Sequence, residues 1–85
     1  MEVRKPTEEE AQEATTWPVW EKGVSEFDWE YRDKETCYII EGAATVTAED
    51  GKSISFKTGD WVIFEPSLKC TWKIKQPIKK HYSLG

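Results

Sequence analysis

The chain has 85 residues and a formal net charge of −4, with five Trp, three Tyr and three Phe but two Cys and one His. One small domain of that length needs an economical core, and each buried aromatic removes roughly 150–250 Å² from water, so the aromatics are expected to carry the stability. The acids lie mainly before residue 36 and the lysines after residue 68, a balance that argues against nucleic acid as partner. No stretch approaches the ~20 apolar residues of a membrane span, and the acidic start lacks the basic-then-apolar order of a signal peptide. Two Cys without a Cys-x-x-Cys spacing are too few for a disulfide scaffold, so a cytoplasmic protein with reduced thiols is expected.

Thr7-Glu8-Glu9-Glu10 has the form of a capping box, which predicts one short helix from Glu8 to Ala14. Trp17-Pro18-Val19-Trp20 ends it, because Pro18 keeps the chain extended as it approaches the sheet. From Phe27 the residues alternate, with Phe27, Trp29 and Tyr31 on one face and the solvated acids Glu26, Asp28 and Glu30 on the other. Thr36 to Ile40 is apolar on both faces and reads as a central strand ending at Gly42. Ala44, Val46 and Ala48 then alternate toward Asp50-Gly51, a signal for a type I′ hairpin turn, and Ile54 and Phe56 bring the next strand back. Lys57-Thr58-Gly59-Asp60 is a further turn, Trp61 to Phe64 a buried strand and Glu65 to Lys69 a loop. Cys70, Trp72 and Ile74 share one side of a strand, and a last strand runs from Ile78 to Leu84. About seven short strands with turns between them predict an all-β sandwich or barrel.

Glu35-x6-Gly42, Asp50-Gly51, Gly59-Asp60 and Trp72, in that order, resemble the two short motifs of the cupin superfamily, and from Trp17 to Tyr82 the chain is similar to the small single-domain cupins grouped with (S)-ureidoglycine aminohydrolase. The resemblance implies a cupin double-stranded β-helix, a jelly-roll barrel. Residues 1–85 would form one cupin domain, with a short N-terminal helix and lead-in over 1–16 and the barrel over 17–85. The helix and the Trp17–Trp20 segment would pack against the outside or against a second subunit. A homodimer is expected from the same resemblance, and because so short a barrel leaves sheet edges to cover. Metal-dependent cupins hold their ion with two histidines and a glutamate of the first motif and a histidine of the second. Here only Glu35 matches. The first-motif histidine positions fall on Trp29 and Tyr31, or on Asp28 and Glu30, and the second-motif register lands on Glu65, Ser67 and Cys70. No metal or other cofactor is therefore expected.

Residues two apart on a strand share a face, so Glu35 would point into the barrel beside Cys37 and Ile39. A carboxyl there either orders the interior through hydrogen bonds to Tyr or Trp, or serves as a general acid or a ligand-gripping group in an aromatic cavity. Cys70 would face the same cavity. It reads as a small buried hydrophobe, as a thiolate nucleophile, or as one half of a disulfide or thiolate metal site with Cys37. Trp29, Tyr31 and Trp72 could stack on a planar ligand or simply fill the core. His81, in Lys79-Lys80-His81-Tyr82, reads as a surface or interface histidine. The leading function is a metal-independent cupin that binds or converts a small polar metabolite in the cavity, with Glu35 and Cys70 as polar contacts, the aromatics as walls and Cys37 as a further ligand-binding candidate. The alternatives are a non-catalytic structural or interaction domain and a metalloenzyme related to the aminohydrolase with altered ligands.

Overall fold

The structure, a computed structural model, describes residues 1–85. In chain order its elements are β1 (Glu2–Arg4), α1 (Glu8–Ala14), β2 (Val19–Lys22), β3 (Ser25–Glu30), β4 (Glu35–Ala48), β5 (Ser53–Lys57), β6 (Trp61–Phe64) and β7 (Lys69–Leu84). Two strands set the architecture by their length, the 14 residues of β4 and the 16 of β7, which pair antiparallel from Glu35↔Leu84 to Ala48↔Cys70. The start of β4 and the end of β7 carry β6 and β2 as neighbours, and β1 adds outside β6. The other halves carry β5 and β3. One pair of strands thus belongs to two sheets, β1-β6-β4-β7-β2 and β5-β4-β7-β3, which face each other as the jelly-roll barrel expected from the sequence.

The corner between the sheets lies at Gly42 and Pro77. The β4–β7 register slips between Ile39 and Ala44, the pattern of a bulged and strongly bent pair. Gly42 has φ +97°, and a Cβ built on it would collide with the Pro77 carbonyl, 2.7 Å from its carbon and 2.8 Å from the Gln76 oxygen. Only glycine supplies that backbone direction at that approach. Because the ladder is interrupted here, Pro77 sits in a strand without removing a needed donor. The sequence placed strand ends at Gly42 and at Ile74. The strands instead run through both points and bend, because the partner's bulge absorbs each interruption.

Local chemistry explains the remaining elements. Glu10 N donates to Thr7 Oγ1 at 3.1 Å and Thr7 N to Glu10 Oε1 at 2.9 Å, the capping box read from the sequence. The Asp50-Gly51 hairpin forms, but with Gly51 alone at positive φ, and Gly51 N donates to the Ala48 carbonyl at 2.9 Å. A type I′ turn needs two positive-φ residues, so this is a longer loop in which Asp50 Oδ1 accepts from Lys52 N at 2.9 Å. Ser67 takes φ +66°, at the position where the second cupin motif has glycine. Strand β1 carries no apolar alternation to signal it in the sequence; it forms by pairing with the edge of β6.

Alternation sorts the core. Cys37, Ile39, Ala44 and Val46 of β4, Phe56 of β5, Val62 and Phe64 of β6, and Cys70, Trp72, Ile74 and Ile78 of β7 form one buried cluster with Tyr31. Tyr31 stacks on Phe64 with ring centres 4.5 Å apart, and Phe56 meets Trp72 edge-on at 5.4 Å. Helix α1 lies outside against β4 and β7 and buries only Ala14. Trp17 covers Trp61 on that outer side, at 5.5 Å. Trp20 departs from the expected outward placement. It pairs with Lys80 across β2–β7 and turns inward, 5.9 Å from Trp72 and 6.3 Å from Phe27.

Candidate functional site

Two charged side chains meet inside the barrel. Glu35 begins β4 and Lys80 lies near the end of β7, both facing inward, and Lys80 Nζ donates to Glu35 Oε2 at 2.8 Å. The two residues are 8% and 5% exposed. Cys37, two residues along β4 on the same face, donates its thiol proton to the same oxygen at 3.0 Å. The Lys80 ammonium lies 4.8 Å from the ring centres of both Trp20 and Trp72, close enough for cation–π attraction. Removing either partner of such a pair would leave a charge in low dielectric, and a loss of that kind costs about 3–5 kcal/mol.

The pair forms the floor of an open cleft of about 620 Å³. Trp20, Phe27, Trp29, Tyr31, Trp72 and Tyr82 wall it, and Arg32, Asp33 and Leu84 lie at its margin. Trp72 Nε1 donates to Tyr31 Oη at 3.1 Å. Burial, and then the nearby charge of Glu35, holds the Tyr31 phenol well above its ordinary range, so it stays protonated. Burial likewise pushes the Cys37 thiol up; Lys80 opposes this and the Glu35 carboxylate adds to it.

Glu35, Tyr31 and Trp72 thus come together as the alternation predicts, with Cys37 behind the glutamate. Trp29 is on the same face of β3 but at the open end, 50% exposed, so it stands at the mouth. Cys70 faces inward and is 6% exposed, yet it does not line this cleft. Its thiol donates to the Trp29 carbonyl at 3.6 Å, and it borders a second groove shared with Glu26, Thr47 and Lys73. Burial, then the charges of Asp28 and Glu65, pushes that thiol up to about 11, the opposite of activation. Both cysteines are free. His81 Nδ1 lies 2.9 Å from the Trp17 carbonyl and ties the N-terminal segment to β7, away from the cleft. The acidic face of β3 lies opposite Lys73, Thr71 and Lys69, with Thr71 Oγ1 donating to Asp28 Oδ1 at 2.8 Å.

Lys80, Trp20, Phe27 and Tyr82 are site residues that the sequence reading missed. The signal was present: Cys70, Trp72, Ile74, Ile78, Lys80 and Tyr82 are all even-numbered positions of β7, and continuing that alternation past Pro77 turns Lys80 inward. A metal fits poorly. Nowhere do three or more His, Cys, Asp or Glu side chains gather to hold one, and the lone motif glutamate already faces an ammonium.

A sequence profile for the EutQ-like cupin domain matches residues 9–82. Among solved structures, the chain is similar to a DUF861 family protein from Thermotoga maritima, with 50% identity and a TM-score of 0.95 over 99% of this chain and 98% of that one. It is also similar to the Clostridium difficile EutQ protein, at 20% identity and a TM-score of 0.71, over 78% of this chain and 52% of that one. An RmlC-like cupin from Shewanella frigidimarina gives 15% identity and a TM-score of 0.59 over 78% of this chain and 64% of that one. The latter two likenesses show the fold alone, and no curated protein matches the sequence. With the profile covering nearly all of the barrel, the chain belongs to the EutQ-like cupin domain family.

Proposed function

We propose that this domain is a metal-independent cupin that binds, and in that position could convert, a small polar molecule in the cleft above Glu35 and Lys80. The observation that carries the reading is the pair itself. Desolvating two charges inside a small barrel stabilises it little compared with apolar packing, so a pair set at the floor of an aromatic cleft, open to solvent, is better suited to contact a ligand than to hold the fold. Glu35, Lys80 and Tyr31 supply polar contacts, Trp29 and Trp72 supply walls, and Cys37 steadies the glutamate. An aminohydrolase activity like that of the ureidoglycine enzymes would need a metal that this donor set does not suit, and we leave it outside the proposal. A homodimer belongs to the same reading: β2 is an edge strand, and Val19 at its start and Val24 just beyond its end are 46% and 67% exposed.

The tryptophans provide the test. Trp20, Trp29 and Trp72 border the cleft, whereas Trp17 and Trp61 pack together outside the barrel. In ¹H–¹⁵N spectra recorded against a library of small polar metabolites, ligands of this site move the first three indole signals and leave the other two in place. A structural domain without a ligand site gives no such hits, and hits that move Trp17 and Trp61 instead would place binding elsewhere.

A further inference from the structure

The chemistry of the cleft floor narrows the ligand class, an argument that rests on the reading of the cleft as a binding site. Both Lys80 and Cys37 donate to Glu35 Oε2, and no protein donor reaches Oε1. No fully buried side-chain nitrogen or oxygen lacks a partner, so Oε1 must meet the cleft. Tyr31 Oη accepts from Trp72, but its own proton has no acceptor in the protein. The floor therefore offers a ligand the Glu35 Oε1 acceptor and the Tyr31 hydroxyl proton, while the Lys80 ammonium gives one N–H to Glu35 and lies 4.8 Å from the Trp20 and Trp72 ring centres.

Its charges are already matched. Lys80 answers Glu35 at the floor, and Arg32 and Asp33 carry opposite charges at the margin. Asp28 and Glu30 also line the cleft from the edge strand β3, where Asp28 Oδ1 accepts from Thr71 Oγ1 and Glu30 lies cross-strand from Lys69. A ligand bearing net charge would bring an unmatched ion to a floor whose own two charges are already paired, giving up part of its hydration with no counter-ion in return. We infer that the cleft selects an uncharged molecule presenting a hydroxyl or a primary amide, which donates to Glu35 Oε1 and accepts from Tyr31 Oη while its apolar body lies against Trp29 and Trp72.

Four probes of one shape test this: cyclohexanol and cyclohexanecarboxamide against cyclohexanecarboxylate and cyclohexylammonium, each titrated into the full chain while the Trp29 and Trp72 indole signals are followed. The neutral pair is expected to bind roughly tenfold more tightly than either ion, and Tyr31→Phe to weaken the neutral pair by roughly tenfold, the loss that goes with one unmade hydrogen bond to a buried group. Trp29→Ala, a change at a half-exposed position, should weaken binding with the fold intact. An ion that binds as tightly as cyclohexanol, or neutral probes indifferent to Tyr31→Phe, would overturn the ligand class and leave the cleft standing. Were none of the four to move either indole, while other metabolites do move them, the ligand class would again be wrong. If nothing moves them, the cleft itself is not a binding site.

Discussion

Strands β4 and β7 make two contacts that are opposite in kind. At the corner, Gly42 meets Pro77 backbone to backbone, with no side chain between them. At the cleft, Glu35 meets Lys80 through the ends of two long side chains, with Trp20 and Trp72 against the ammonium. The corner fixes the shape of the barrel and offers nothing to a ligand. The cleft pair adds little to the shape and faces open space. Breaking each in turn separates what the fold requires from what a site uses.

The largest effect is expected at the corner. In Gly42→Val a β-branched side chain must take positive φ and displace the Pro77 backbone, so strain and overpacking together cost about 4 kcal/mol, enough to unfold much of so small a domain. Urea denaturation would measure it, and a stability near that of the parent would show that the corner can relax. At the cleft, Glu35→Gln keeps an acceptor for Cys37 but leaves the Lys80 ammonium without a counter-charge, and a loss of about 3 kcal/mol is expected. That exceeds the 1–2 kcal/mol, roughly, of an isosteric change at a lone buried carboxyl.

The contrast also explains what the sequence made legible. Backbone devices are local, so Thr7 and Glu10, Asp50-Gly51 and Gly59-Asp60 reveal helix cap and turns at short range. Strand faces follow from alternation, which is why Glu35, Tyr31 and Trp72 were placed together. Position along the barrel axis leaves no such trace: Trp29 at the mouth and Trp72 in the core are both inward residues of adjacent strands. Lys80 is hidden because Pro77 interrupts the apolar pattern between Ile74 and Ile78, so that the lysine groups in sequence with Lys79 and His81 rather than with Trp72 and Ile74. A pair 45 residues apart in sequence becomes visible only once the β4–β7 register is known.

Smaller effects sharpen the comparison by probing charges and thiols away from both contacts. Burial alone would raise the Asp60 carboxyl, but hydrogen bonds from Lys5 Nζ at 2.7 Å and Lys57 N at 2.9 Å outweigh it, and its folded pKa is lowered. Its contribution is therefore present above the unfolded carboxylate value near ~3.9 and is lost as pH falls through the folded value. Asp60→Asn should flatten that part of the acid unfolding curve; an unchanged slope would show that Asp60 is not the group responsible. At pH 8 neither thiol of the folded protein should react quickly with a disulfide reagent, Cys37 because it is enclosed and Cys70 because burial and acidic neighbours keep it protonated. Both should react once urea unfolds the chain. Fast labelling of Cys70 in the native state would restore it as a candidate nucleophile.

The cleft floor depends most on Glu35 and Lys80 acting as one unit, and a double-mutant cycle tests that directly. Glu35→Gln, Lys80→Met and the double variant are unfolded in urea alongside the parent. If the two charges face each other inside the barrel, the double variant recovers much of what each single change loses, with a coupling energy of about 2 kcal/mol or more. If the two losses simply add, Glu35 and Lys80 do not meet, and the floor of the cleft is not as described.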